Sequence, residues 1–588
     1  MSEKSDKIAQ KSCSNQKLLE FSFLAAAILL GFCRMWAGRN GFVDIDGISY
    51  IDIGRAYLRG DWNAALNPVW SPLYSWVLGA ALRVLRPSLY WEFPVVQSLN
   101  FIIYLFTLLC FRFLLVGLMD HSETRGNEFQ QMNLARIPKS VWVVLGYTIF
   151  MVASLEMVEV TNVRPDMCVA AFFFLASGIV VRIHTVTPKW RMYFLLGVCL
   201  GVGYLAKAVL LPLSFAFIVA SLVVDNGIRK GVSHLLAALL GLGIVAGPYV
   251  ALLSKRQGHF TFSETARLNY VWFVNNVSEV EFMSDNAPGY GHPLHPLRRI
   301  CDHPVVFEFA GPVPGTYPVN FDAAYWWAGV KPHFHFIQQL RRFATGLHEL
   351  FGLLFSEFQI GLFTGTLALF LFGARWRLII RRAAGSWFVL LPPIAGLMMY
   401  ASVYVLPRYV GSFFAVFWLG IVSVWALPDL PQTRRVLTSI AGAIAVTTML
   451  VVLGSTYEDM RTQINLGPVE WRVAEYLRQV GIRHGDHVGR LELGYNLGWA
   501  LLDGLRVTSE VDLDPGQAQH YMTASDEVKA EVLQAMFRTG VKAIVSDHIE
   551  RAGCKTGWHT VDKTDYSVCI APAVSKGVES LAGQGDGN

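Results

Sequence analysis

The sequence predicts an all-α polytopic membrane protein, with about eleven spanning helices and a soluble α/β domain at its C-terminal end. Three observations carry this. Of 588 residues, 53% are hydrophobic and only 16% charged, against roughly 25% charged in soluble domains. Apolar runs near the length needed to cross a bilayer, about 20 residues, recur as far as position 454. Beyond that point the pattern changes to shorter segments of ordinary polarity. The net charge of +5 supplies no basic face of the kind nucleic acid requires.

Residues 1–17 are a polar leader containing Lys4, Lys7, Lys11 and Lys17. The run 18–36 is too long for a signal-peptide core and lacks an A-x-A cleavage site, so it reads as an uncleaved anchor. Further spans are expected at 93–118, 140–156, 167–184, 190–206, 208–225, 234–253, 349–372, 384–405, 409–427 and 436–454. The run 69–87 is also apolar, but it contains Pro72 and Arg83 and ends in Arg86-Pro87.

Charge decides whether 69–87 crosses, because Lys and Arg concentrate in short cytoplasmic loops. If it does not cross, the inside receives the lysine leader, Arg125/Arg136/Lys139, Arg182/Lys189/Arg191, Arg229/Lys230, Arg375/Arg377/Arg381/Arg382 and Arg434/Arg435. The short outer loops then hold single cations, Arg164, Lys207 and Arg408. The run 69–87 is therefore expected to lie in the outer interface, with the N-terminus inside and the C-terminus outside.

The module 18–454 then has two long outer loops, 37–92 and 254–347. Residues 455–574 read as an α/β domain. Helix 526–538 places Val528, Val532, Leu533, Met536 and Phe537 near helical period, and strand-like pieces follow at 541–545 and 567–570. Residues 575–588 have the composition of a disordered tail. Cys33, Cys110, Cys168 and Cys199 lie in apolar runs as inert core residues. Cys554 and Cys569 have the chance of a disulfide if their domain is extracytoplasmic, and the sequence leaves their bonding open.

Unexplained charges collect at the outer face. The first outer loop carries Asp44, Asp46, Asp52, Arg55 and Arg59, and 48–58 has the pattern of an amphipathic surface helix. The second carries Glu156, Glu159, Arg164-Pro165-Asp166; Asp166 suits a first helical turn. Lys207 stands alone between two apolar helices, and Arg408 repeats the pattern. Glu357 falls within the run 349–372, where a carboxylate is expected to face the bundle interior. Headgroup-depth cations suit an anionic phosphate, and a neighbouring carboxylate suits activation of a hydroxyl. His292, His295, His333 and His335 do not have a recognised zinc spacing. Asn276-Val-Ser278 matches a glycosylation acceptor.

Asp46-Gly-x-x-Tyr50-x-Asp52, Gly60-Asp61-Trp62 and Trp70-Ser-Pro72-Leu-Tyr74 resemble the first outer loop of GT-C glycosyltransferases. The similarity is to the branch of protein O-mannosyltransferases and the lipid A aminoarabinose transferase. Arg164-Pro-Asp166, Tyr204-Leu-Ala-Lys207-Ala and Pro407-Arg408-Tyr409 resemble that branch's later motifs, in the same order, over roughly 18–430. Gly47 departs from the family's Asp-Glu pair, whereas Asp44-Ile-Asp46 resembles the D-x-D of metal-using members. No cofactor is expected, with a divalent metal at Asp44/Asp46 left open.

The resemblance implies inverting transfer of a sugar from a polyprenyl-phosphate donor to an acceptor hydroxyl at the outer face. Asp46 would be the general base. Lys207, Arg408 and Arg164, with Tyr409 and Tyr50, would bind the lipid phosphate. Asp44, Asp52, Asp166 and Glu357 would organise the site or the acceptor. Aromatics of 254–347, among them Tyr317 and Tyr325-Trp326-Trp327, would cover it by stacking on sugar or by packing a folded loop. The similarity to bacterial members implies an inner membrane with a periplasmic site. The acceptor (glycan, lipid or protein) and the sugar are not specified. The rival readings are a flippase or transporter for a lipid-linked sugar, which predicts helices broken at mid-membrane, and a membrane-bound assembly scaffold.

Overall fold

The computed structural model describes residues 2–41, 43–124, 133–187, 189–222, 228–309, 311–371, 376–466, 468–491, 496–511, 515–572 and 574. The chain divides into two compact units, each built from three separated stretches: 1–37, 98–262 and 336–462, and then 38–97, 263–335 and 463–588. The expected tail 575–588 lies outside the described residues, as do Arg125 and Arg375.

The first unit is helical. Six helices are long and apolar enough to cross a membrane: Ser14–Asn40, Leu89–Thr124, Lys139–Met157, Asp166–Thr185, Arg229–Gln257 and Pro431–Thr462. Four more expected spans fall on shorter apolar helices, Trp190–Ala206, Leu210–Leu222, Ile360–Leu371 and Pro407–Ser423. The chain thus forms a polytopic helical membrane protein. Small residues let its helices approach closely: a Cβ on Gly197 would collide with the Ala238 carbonyl, and one on Gly241 with that of Phe194.

Two expected spans are not continuous. Within 349–372, helix Phe336–Leu354 stops and Ile360–Leu371 begins after a turn. Buried Gln359 holds that turn in place, its side-chain oxygen accepting the Trp418 indole N–H at 2.9 Å. Glu357, expected inside the bundle, is exposed on the turn. Within 384–405, helix Trp387–Ala401 meets helix Arg377–Gly385 at an 84° bend. Three arginines, Arg377, Arg381 and Arg382, make continuation of an apolar span there unfavourable.

The second unit centres on a seven-stranded sheet in the order β1-β2-β4-β3-β5-β7-β6. The strands are β1 Arg298–Asp302, β2 Val305–Glu308, β3 His487–Leu491, β4 Arg506–Val511, β5 Ala543–Ser546, β6 Trp558–Thr560 and β7 Ser567–Ile570. β3 runs parallel to β4 and β5, and the other pairings are antiparallel. The expected helix at 526–538 is present as Asp526–Arg538. Val532, Leu533 and Met536 cover Ile544, Leu491 and Val511 in one core. Cys554 and Cys569 form a disulfide. The α/β domain is therefore larger than 455–574, because β1 and β2 come from the outer segment 254–347. These strands are four and five residues long, too short for a period-two pattern to stand out.

Helix Ile45–Arg59 belongs to this unit and has nine buried residues. It is a packed helix, where the sequence suggests an amphipathic surface helix. The cause is Gly54, which lies against Gly79 and the Ser75 carbonyl of helix Pro72–Leu85 so tightly that a Cβ has no room. Tyr50 packs edge-on against Trp70 and Tyr74, with ring centroids 5.2 and 5.5 Å away.

Two predictions follow from this packing and burial. Gly54→Ala is expected to destabilise the chain by about 1–3 kcal/mol through overpacking. Gly243→Ala, with nothing within 4 Å of its Cβ, should be neutral or stabilising, and thermal midpoints in detergent distinguish the two. Burial also raises three carboxyls of this unit: Glu470 to about 8, opposed by the Trp499 N–H it accepts, Glu279 to about 7, and Asp503 to about 6. Each lies above its unfolded value, so the folded unit binds more protons and its stability falls as pH rises from about 5 to 8. Protection of the β3–β5 amides in hydrogen exchange, corrected for intrinsic rate, should decline over that range. Glu470→Gln should flatten the decline, and an unchanged slope would exclude Glu470 as its source.

Candidate functional site

In the first unit, four expected site residues converge from three helix ends. Asp166 occupies the first turn of helix Asp166–Thr185, just after Pro165. Lys207 closes helix Trp190–Ala206, its N–H reaching the Gly203 carbonyl at 3.0 Å. The Lys207 carbonyl accepts the Leu210 N–H at 3.1 Å. The turn is so short that the ammonium stays within the helix ends. Pro407 opens helix Pro407–Ser423 and sets Arg408 and Tyr409 in its first turn, the position that a proline's fixed φ favours.

Lys207 Nζ lies 2.6 Å from Asp166 Oδ1; the lysine side chain is 22% exposed and the aspartate 6%. The ammonium also sits 3.9 Å from the centre of the Tyr409 ring, a cation–π contact. Arg408 Nη2 donates to the Tyr409 hydroxyl at 3.0 Å. Tyr400 stacks on Tyr409 at 5.1 Å. Asp166 thus orients a lysine from the first turn of its helix. Arg164 is half-buried in the same loop, two residues before it. Lys207 and Arg408 thus meet on one tyrosine at these helix ends, and cations so placed are of the kind that bind a phosphate.

A second charged cluster in this unit was not anticipated from sequence. Arg34, 7% exposed, pairs with Glu156 at 2.5 Å and Asp459 at 2.8 Å. It also donates to Ser455 and Thr456. A π-helical turn, Val152–Met157, presents Glu156, and such turns often mark functional positions. The signal was available: Arg34 is a lone cation at the outer end of an apolar run, as Lys207 is. Tyr400 carried no such signal.

In the second unit, Asp44 is the N-cap of helix Ile45–Arg59, its Oδ1 accepting the Gly47 N–H at 2.9 Å. That bond commits one carboxylate oxygen of the D-x-D to the helix terminus. Asp46 follows in the first turn, half-buried. Asn320 fixes this turn by donating to the Ile45 carbonyl at 2.9 Å and to Ser49 Oγ at 3.0 Å. Asp52 is buried and accepts the Thr316 N–H at 2.6 Å; burial raises its pKa against the pull of Arg55. Arg55 bonds to Glu92 and to the Leu501 carbonyl. Tyr50, expected at the lipid phosphate, is 3% exposed and serves the core of this unit. Tyr317, Trp326 and Trp327 are also buried, which decides between sugar stacking and core packing in favour of packing. Among the described residues no three His, Cys, Asp or Glu side chains are grouped as a metal set.

The architecture is that of the GT-C glycosyltransferase fold, the class whose motifs the sequence resembles. The chain matches ArnT from Cupriavidus metallidurans in the apo state, with a TM-score of 0.53 at 14% identity, over 94% of this chain and 98% of that one. ArnT bound to undecaprenyl phosphate matches with a TM-score of 0.50 at 13% identity, over the same shares. No family model and no curated protein matches the sequence.

The Lys207–Asp166 pair gives a third prediction. Lys207→Met strands a buried carboxylate and should cost about 3–5 kcal/mol. Lys207→Met combined with Asp166→Asn should recover much of that loss. Additive losses in detergent thermal midpoints would mean that the two side chains are not coupled.

Proposed function

We propose that the protein is an inverting glycosyltransferase that takes a sugar from a polyprenyl-phosphate donor and gives it to an acceptor hydroxyl at the outer face of the membrane. The observation that carries this is the Lys207–Asp166–Tyr409–Arg408 cluster, a cationic group at helix ends in a GT-C fold. The undecaprenyl phosphate bound by ArnT supports the donor class.

In this reading Asp46 takes the proton of the acceptor hydroxyl as its oxygen attacks the anomeric carbon. The bond from that carbon to the phosphate oxygen breaks, and its electron pair leaves on polyprenyl phosphate. Lys207 and Arg408, helped by Arg164, stabilise the charge that grows on the departing phosphate. Tyr409, stacked and hydrogen-bonded, keeps both cations in place. No resident cofactor is required in this reading, and a divalent metal at Asp44/Asp46 is the alternative that the EDTA comparison below tests. The N-terminus is cytoplasmic and the sheet unit extracytoplasmic in this reading, in accord with the Cys554–Cys569 disulfide and with the concentration of Lys and Arg in alternate loops of the sequence.

The flippase reading draws on the 84° bend at Ser386. That bend lies beside Arg382, which bonds the Trp425 carbonyl, among the basic residues at a helix end. A transporter's broken helices lie at mid-membrane.

The test is release of free polyprenyl phosphate from a panel of polyprenyl-phosphate sugars by purified wild type, Asp46→Asn and Lys207→Met, with magnesium or with EDTA, in the presence of membrane extract as acceptor. Wild type should release it, and Asp46→Asn should be slower by roughly 10²–10⁴, the scale of general-base catalysis. Release at equal rates would remove Asp46 as the base. Loss in EDTA would give Asp44 and Asp46 a metal to hold. No release by folded wild type with any donor would overturn the proposal.

A further inference from the structure

The first unit carries a second polar site that the transfer reading does not use. Helix Lys139–Met151 continues through the π turn to Met157. Glu156 and, after a short loop, Asp166 lie at its far end. At its near end a pocket of about 210 Å³ is lined by Met119, Ser122, Glu123, Arg136, Ile137, Pro138, Lys139, Trp142 and Arg434. With a rise of about 1.5 Å per residue, the helix between the two ends is about as long as a bilayer's hydrocarbon core is thick.

The pocket joins two basic loops that are far apart in sequence. The Ala135 N–H donates to the Leu427 carbonyl at 2.9 Å and the Asp429 N–H to the Asn133 carbonyl at 3.1 Å, so 133–138 and 427–434 are stitched together. That contact brings Arg136 and Arg434 to one opening. Lys139 is matched by Glu123 at 2.6 Å, which cancels one positive charge with the pocket's one carboxylate. Arg136 and Arg434 are exposed and have no ion pair among the described residues, so the opening keeps their two charges. Trp142, 1% exposed, forms part of the wall, and its indole N–H has no acceptor among the described residues. A buried donor without a partner is costly.

Two exposed guanidinium groups above an apolar floor of Met119, Ile137 and Pro138 match one chemistry. They suit phosphodiester oxygens carried on an aliphatic body. The volume is below that of sites enclosing a whole small molecule, roughly 300 Å³ and above, and suits a headgroup whose chains stay in lipid. We infer that this pocket binds the headgroup of an anionic phospholipid, on the membrane face opposite to the Lys207 cluster.

The full chain is purified in detergent after exposure to phosphatidylglycerol or phosphatidylcholine, and retained lipid is measured by native mass spectrometry. Wild type should retain phosphatidylglycerol preferentially. Arg136→Ala with Arg434→Ala should lower that retention by about tenfold, on the scale set by two interfacial cations. Equal retention by wild type and the double variant would overturn the inference, since lipid would then be held all around the bundle. Displacement by millimolar inorganic phosphate would also overturn it, by showing that the site takes the free ion and not the headgroup. Polyprenyl phosphate release should be unchanged in the double variant, so the outcome is independent of the transfer reaction.

Discussion

A charged side chain drawn out of water at the end of an apolar helix cannot be left unanswered, and this constraint organises the outer end of the membrane unit. Lys207 has almost no loop in which to reach water, so it is matched by Asp166 at 2.6 Å and by the face of Tyr409. Arg34 meets the same requirement with Glu156 and Asp459. In both cases one partner sits at a helix irregularity: Asp166 behind a proline, Glu156 within a π turn. The helices are bent or interrupted where an ion pair has to be made. The result is a set of cations whose positions are determined by several elements at once.

The second unit obeys a different constraint. Thr316 offers its N–H to Asp52 on helix Ile45–Arg59 and its carbonyl to the Val507 N–H on β4. One peptide thereby ties the helix that carries Asp46 to the C-terminal sheet. Asn320, four residues on, grips the first turn of the same helix. Tyr317 donates to Glu510, which is buried and bonded to Arg490. The sheet is therefore part of the support for Asp46, with no separate site of its own required to explain why the two share a unit. If Asp46 is the general base proposed above, it gains from such support, since small misplacements of a general base are expensive in rate.

Legibility in the sequence followed the range of the interactions involved. Spans were legible where they were long and uniformly apolar, because hydropathy is a local property; helix Asp526–Arg538 was legible for the same reason. The run 349–372 was misjudged because Gln359 is held by Trp418, a partner 59 residues away that no window can contain. Strand β2 was missed because its pairing with β4 spans about two hundred residues, and β1 is held in the sheet by β2 alone. At the candidate site, Asp166, Lys207 and Arg408 stood out in the sequence as charges between apolar helices, and the structure places Tyr409 against both cations. Tyr50, expected at the lipid phosphate, packs against Trp70 and Tyr74, since a motif position says which residue is present and not what it faces.

The fixed posture of Lys207 bears on how such a site would work. A free lysine would follow a phosphate wherever it bound, and would stabilise donor and departing phosphate alike. Equal stabilisation of ground and transition states lowers KM without raising kcat. A lysine pinned by Asp166 and Tyr409 cannot follow, so its interaction is strongest only where the phosphate's charge grows into its reach. Asp166 weakens the ammonium's net field, yet it spares the reorganisation a mobile side chain would need during transfer. Arg408, tied to the same Tyr409 hydroxyl, shares this rigidity. In the proposed reaction, the ion pair that a membrane environment demands for stability would thus also discriminate a departing phosphate from a bound donor.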